Sequence, residues 1–256
     1  MTNRSIIVSI IALAMLASAS PVFAQRFQPL RDARPFSARV GVEKPVTNPT
    51  AELALTWLTE GNARFQSQQR RSPNAGLSRV SETAKNGQHP FVTILSCSDS
   101  RVPLEVIFDR GIGDIFVIRV AGNIAGESEI GSIEYGVEHV GTPLLVVLGH
   151  TKCGAVTATA TNAQPGGSIT KVLEKIQPAV AKVKNANPEI KDETLIKKAT
   201  VENVWESVKA LMTRSEILRN RVKEKKLHVV GAIYHVESGE VEWLGEHADM
   251  KQWVGN

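Results

Sequence analysis

The chain has 256 residues, 42% of them hydrophobic and 22% charged, with a formal net charge of +4 and two cysteines. That is enough chain for one domain with a substantial core, and too apolar a composition for a disordered protein. The small basic excess is spread along the sequence with no Lys/Arg-rich block interleaved with aromatics, so nucleic-acid binding has no support.

The first element reads as a targeting segment. Arg4 is followed by the apolar run Ile6 to Ala19 and then by Ser20-Pro21-Val22-Phe23-Ala24, which presents Val22 and Ala24 to a signal peptidase. Residues 1–24 are therefore expected to be a signal peptide, cleaved near Ala24. The apolar run is shorter than the roughly 20 residues of a membrane span, so no stable membrane anchor is expected and the mature protein is expected to be periplasmic or secreted. Residues 25–49 carry Pro29, Pro35, Pro45 and Pro49 and predict an extended N-terminal arm. Residues 50–256 read as a single folded domain.

From Thr50 to about Arg71 the positions of Leu53, Leu55, Trp57, Leu58 and Phe65 predict an amphipathic helix with Thr50 as N-cap and Gly61 as the place for a break. Three short β-branched runs follow, Phe91–Leu95, Ile115–Val120 and Leu144–Leu148, each nearly continuous in hydrophobicity as strands buried on both faces are. Glu127–Val140, Cys153–Thr161, Ser168–Lys184 and Lys191–Lys226 predict helices, and Leu227–Tyr234 a fourth buried strand. Ser238-Gly239 then turns the chain into Val241–Leu244. The expected fold is α/β: a mostly parallel central sheet of about four strands with an antiparallel edge strand, helices on both faces, and ligands beyond the carboxyl ends of the strands.

Two segments at such strand ends carry the chemistry. Ser96-Cys97-Ser98-Asp99-Ser100-Arg101 follows the first strand, and Gly149-His150-Thr151-Lys152-Cys153-Gly154 follows the third. Two thiolates and an imidazole suit Zn²⁺, and three protein ligands leave the open fourth position that a catalytic zinc needs. Asp99 is the nearby contender for that position. The same residues also suit a purely structural zinc site, or a Cys97–Cys153 disulfide in an oxidising compartment with His150 as a core residue. The Asp99-x-Arg101 pair beside the ligands and the placement at strand ends favour the catalytic centre.

Cys97-Ser98-Asp99-Ser100-Arg101 after a buried strand, followed some fifty residues later by Gly149-His150-x-x-Cys153-Gly154, resembles the β-carbonic anhydrase family. The likeness runs from about Glu52 to Leu244 and includes Gly111-Ile112-Gly113-Asp114, Val117–Asn123 and Ser132-Ile133-Glu134-Tyr135. It implies a zinc enzyme, one ion per chain, held by Cys97, His150 and Cys153, that interconverts carbon dioxide and bicarbonate. It implies a catalytic dyad in which Asp99 accepts a hydrogen bond from the attacking hydroxyl while Arg101 keeps Asp99 ionised and off the metal. In a closed state Asp99 would become the fourth ligand. It implies a small substrate pocket of Gln88, Phe116 and Tyr135, which taken alone would be a loop residue and two core aromatics, and retention of that trio favours the open form. It further implies a homodimer or higher homo-oligomer, with the helix from about Thr50 packing on a partner. His89, next to Gln88, is a candidate proton carrier; His235 stands where an acidic residue is expected. Hydrolysis of carbonyl sulfide or carbon disulfide on the same ligands, or non-catalytic zinc or bicarbonate binding in the periplasm, are the alternative functions.

Overall fold

The computed structural model describes residues 49–255. The expected signal peptide, and the expected arm up to its last residue, lie outside the described residues. Helix α1 (Ala51–Gln66) starts at Thr50, whose Oγ1 accepts a hydrogen bond from Leu53 N at 3.2 Å. It runs unbroken through Gly61, where a break was expected. A Cβ at Gly61 would overlap the Phe108 carbonyl, so this glycine is where the helix lies directly against another backbone.

The chain continues through α2 (Leu77–Asn86), β1 (Val92–Ser96), the single turn α3 (Leu104–Ile107) and β2 (Ile115–Arg119). Helix α4 (Glu127–Glu134) ends in a π-turn over Tyr135–His139 and leads to β3 (Leu144–His150). Then come α5 (Gly154–Ala160), α6 (Ile169–Ala186), α7 (Asp192–Arg214) and α8 (Glu216–Lys223). Strands β4 (His228–Tyr234) and β5 (Val241–Gly245) and the short α9 (Met250–Val254) complete the described residues.

The five strands lie in the order β2-β1-β3-β4-β5, the first four parallel and β5 antiparallel to β4. This is the expected sheet. Side chains alternate between its two faces. Leu144, Val146 and Leu148 share a core with Ala54 and Leu58 of α1, whereas Leu145 and Val147 share one with Ile130 and Ile133 of α4 and Val204, Val208 and Leu211 of α7. Both faces are thus covered, which is why β3 reads as a continuous apolar run. A third cluster, built from α5, α6 and the start of α7, takes in Cys97 and Cys153.

The expected helix over Lys191–Lys226 is two helices. Ser215 ends α7 and caps α8, its Oγ accepting from Leu218 N at 3.1 Å and donating to Glu134 Oε1 at 2.6 Å. Helices α2, α3 and α9 were not anticipated. None of the residues of α2 is buried, and the other two are a turn or so long, so none leaves an apolar stripe to read.

One buried carboxylate ties α1 and the segment after it to the turn that follows α3. Asp109 accepts from Arg64 Nε at 2.6 Å, from Arg71 N at 3.0 Å and from Ser72 N at 2.8 Å. Burial raises its pKa, but Arg64 and the two backbone N–H groups outweigh that, and the net direction is below the ordinary carboxylate value. A lowered folded-state pKa stabilises the fold above the unfolded value near ~3.9, and that contribution is lost as pH falls through the folded one. Asp109→Asn is therefore expected to cost about 2 kcal/mol in urea unfolding at pH 7. The gap from the native chain should narrow as pH falls through the lowered folded-state pKa, and an equal gap at neutral and acid pH would contradict the charge-assisted role.

Candidate metal centre

Cys97 follows the last residue of β1, His150 is the last residue of β3, and Cys153 is the N-cap residue of α5. Two neighbouring parallel strands thus deliver two of the groups side by side, and the next helix start delivers the third. The ligand atoms lie within 4.8 Å of one another and all three residues are buried; among the described residues no other group of His, Cys, Asp or Glu has this geometry. Both cysteines are unpaired thiols, so the disulfide alternative is not what the chain adopts.

The ring of His150 is set by its neighbour. Nδ1 lies 2.9 Å from the Thr151 carbonyl, which can only accept, so Nδ1 carries the proton and the lone pair is on Nε2. Nε2 is buried without a hydrogen-bond partner. An orphaned buried acceptor beside two thiols is what a cation with soft and borderline ligands satisfies. The two thiols act on each other in opposite directions. The hydrogen bond from Cys153, aided by the N–H groups of Gly122 and Asp99, holds the Cys97 thiol below its ordinary value against the opposing effect of burial. The same hydrogen bond and burial push Cys153 up. A divalent cation bound there requires both sulfurs as thiolates, so its binding releases protons.

The loop between the ligands turns at Lys152, which takes φ +55°. The glycines that flank the motif, Gly149 and Gly154, do not make the turn. Gly149 sits in β3 where a Cβ would press on Val204 Cγ2 at 2.7 Å, and Gly154 opens α5. Thr151 fastens this loop to the end of β4. Its N–H donates to Tyr234 O at 3.0 Å, its Oγ1 donates to Glu237 Oε2 at 2.6 Å, and Val236 N donates to Oγ1 at 3.0 Å. The Thr151 hydroxyl, ahead of backbone and Lys152 contributions, holds Glu237 down to about 2.

Asp99 and Arg101 stand beside the cluster as a clamped pair. Arg101 Nε donates to Asp99 Oδ1 at 2.9 Å and Nη2 to Oδ2 at 2.7 Å, while Nη2 also reaches Lys152 O at 3.1 Å. Arg101 keeps the Asp99 carboxyl well below the usual carboxylate range. Asp99 Oδ2 lies 4.0 Å from His150 Nε2. A further arginine was missed by the sequence reading: Arg119 Nε donates to Cys97 O at 2.9 Å and Nη2 to Asp99 O at 2.5 Å, so it spans the whole ligand loop. Its position at the end of a strand parallel to β1 was the available signal.

The three expected pocket residues are placed elsewhere in the same chain. Gln88 and His89 are exposed on the segment between α2 and β1. Phe116 pairs in register with Thr93, four residues before Cys97, which puts it about 13 Å back along the strand. Tyr135 is 51% exposed, with its ring 5.9 Å from Phe116 and 5.4 Å from His139. Phe116 and Tyr135 are brought together; within one chain they do not reach the metal ligands.

A family model described as carbonic anhydrase matches residues 92–241, from the first residue of β1 to the start of β5. This chain belongs to the carbonic anhydrase family. It is 38% identical over 216 residues to carbonic anhydrase 2 of Mycobacterium tuberculosis, covering 83% of this chain and 97% of that protein. It is 36% identical over 210 residues to the carbonic anhydrase of Mycolicibacterium smegmatis, covering 80% and 98%. Among solved structures, the β-carbonic anhydrase CafA of Aspergillus fumigatus superposes with a TM-score of 0.61 at 28% identity, over 78% of this chain and 93% of that one. A tetrameric β-carbonic anhydrase of Sordaria macrospora gives 0.58 at 25%, over 66% and 92%. This carbonic anhydrase thus has the β-class fold, and its Cys97, His150 and Cys153 fit one zinc ion per chain.

Proposed function

We infer that the chain catalyses the reversible hydration of carbon dioxide to bicarbonate and a proton. The observation that carries this is the buried Cys97–His150–Cys153 cluster with the unpartnered His150 Nε2, set beside a carboxylate clamped by arginine. Cys97 Sγ, His150 Nε2 and Cys153 Sγ would hold the zinc ion. When bound, that ion supplies a nucleophile at neutral pH by lowering the pKa of a water to about 7.

The rest is done by the chain itself. Asp99, kept ionised, accepts a hydrogen bond from the attacking hydroxyl at Oδ2 and turns its lone pair toward carbon dioxide. Arg101 occupies both carboxylate oxygens, and its further contact, to Lys152 O, ties it to the loop that carries His150 and Cys153. That grip favours the open form, in which Asp99 is not a ligand. Stopped-flow hydration combined with metal analysis tests the reading. One zinc per chain, with hydration that disappears on chelation and returns with zinc, is expected; a zinc-loaded chain with no hydration overturns it. A parallel assay on carbonyl sulfide separates the related hydrolase activity.

Gln88, Phe116 and Tyr135 form the substrate pocket by being supplied to the ligands of a second copy. The half-exposed Tyr135 and the edge position of β2 support this, since both leave the trio on the surface of one chain. The active species is then at least a homodimer, with α1 contributing to its interface besides packing on its own sheet. Dilution is expected to lower specific activity in step with dissociation seen by light scattering. A fully active monomer would refute the shared pocket.

The mature enzyme works in the periplasm or outside the cell, a reading supported by the Arg4, Ile6–Ala19 and Val22–Ala24 pattern. N-terminal sequencing of protein from a periplasmic fraction should begin at Gln25. An intact Met1 on the active protein would rule this out. No helix among the described residues is long and apolar enough to cross a membrane.

A further inference from the structure

Cys97 Sγ accepts a hydrogen bond from Gly122 N at 3.3 Å. The peptide that makes it belongs to a short 3₁₀ turn, Ala121–Asn123, in which two consecutive residues are left-handed: Gly122 at φ +72° and Asn123 at φ +45°. A side chain at Gly122 would meet Ile176 Cδ1 at 2.6 Å and Ala155 Cβ at 3.2 Å, so only glycine fits there. Such a turn has to be held by its surroundings.

The holding comes from α7. Asn203 Nδ2 donates to Gly122 O at 2.7 Å, and Ser207 Oγ, one helical turn on, donates to Asn123 O at 2.9 Å. Both side chains are buried, and two consecutive carbonyls of the turn are bonded to this one helix face. The geometry has a chemical consequence. Two thiolates and an imidazole hand much charge to a divalent cation, and a hydrogen bond to one sulfur draws part of that charge back.

We propose that Asn203, assisted by Ser207, is a positioning residue of the metal centre: by holding the Gly122 carbonyl it fixes the left-handed conformation of Gly122, so that the N–H on the other side of the same Cα stays on the Cys97 sulfur and limits the charge that sulfur gives to the bound ion. This rests on the reading of the cluster as a metal site. It assigns to α7 a part in tuning that site, although no residue of α7 is among the ligands.

Cobalt substitution gives a readout independent of turnover, because thiolate-to-metal charge-transfer absorption reports the electron density on sulfur. The test compares Asn203→Ala with the native chain and with Asn62→Ala. Asn62 is an equally buried amide that bonds Gly239 O and Val241 N between α1 and β5, away from the cluster. Asn203→Ala is expected to bind one cobalt per chain with the charge-transfer band moved to longer wavelength. Its zinc form should lose metal to a chelator ~10-fold faster than native, because the unheld turn no longer fixes the Cys97 sulfur in place and this outweighs its stronger donation, with kcat reduced and KM little changed. Asn62→Ala should lower the unfolding temperature while keeping the native band and release rate. An Asn203→Ala protein with native band and native zinc release overturns the proposal. Should that variant not fold, Ser207→Ala is expected to shift the band the same way by less, and an unshifted band there overturns it equally. A native chain that takes up no cobalt overturns the metal reading, and the proposal with it.

Discussion

Replacing His150 by alanine, or either cysteine by serine, is expected to leave a folded chain with almost no zinc and hydration reduced by at least about 10⁴-fold. The argument differs for each residue. In His150→Ala the Thr151 carbonyl loses its ring partner and the only neutral ligand disappears, which leaves the two cysteines with Asp99, whose carboxylate Arg101 holds off the metal position. In Cys97→Ser the Gly122 N–H loses the sulfur it faces, and a hydroxyl, much less acidic than a thiol, presents no anion to the ion at neutral pH. In Cys153→Ser the hydrogen bond that holds Cys97 down is weakened, so the remaining thiol also becomes harder to ionise. None of the three side chains is a large part of the apolar core, so unfolding temperatures measured without metal should stay close to the native apo chain. Metal analysis and stopped-flow hydration on the same preparations check this. Native zinc content in any one variant would remove that residue from the ligand set.

The fold and the ligands were open to a reading of the sequence for the same physical reason. Strands covered on both faces must be apolar at every position, and Leu144–Leu148 and Val229–Ile233 are; the groups that break such runs, Cys97 and His150, are then conspicuous and stand at strand ends. What could not be read was held by tertiary contact. Gly61 looks like a helix breaker until Phe108 is known to lie against it. Ser215 lies within an otherwise continuous helical pattern, and it is where α7 ends, in an extended conformation that caps α8 and bonds Glu134, far away in sequence. Arg119, Asn203 and Ser207 act on the site through backbone carbonyls, and a carbonyl leaves no trace in a sequence. The placement of Phe116 and Tyr135 away from the ligands of their own chain is likewise a fact of register, invisible in the motif that names them.

Arg101→Ala is expected to keep close to one zinc per chain while kcat/KM falls about a hundredfold, as loss of a partner that orients a group at a metal site does. The guanidinium touches none of the three ligand atoms; its contacts are the two oxygens of Asp99 and the carbonyl of Lys152. Charge on Asp99 is not what the variant loses. Without Arg101 the Asp99 pKa rises from its depressed position toward the ordinary value near ~3.9, still far below neutrality, so Asp99 remains ionised at pH 7. What it loses is its tether. A free carboxylate whose Oδ2 starts 4.0 Å from His150 Nε2 needs only a small swing to become a fourth ligand and exclude water. Two companions separate position from charge. Arg101→Lys restores a positive charge but not the two-pronged contact, and should recover little activity. Asp99→Asn removes the anion that could close the site, but turns an acceptor into a group able to donate toward the hydroxyl, and should also be poorly active with zinc retained. Raising pH should not rescue Arg101→Ala, because the competing carboxylate is already fully ionised. Near-native kcat/KM in Arg101→Ala, or full recovery in Arg101→Lys, would show that the pair does not hold Asp99 in place for catalysis.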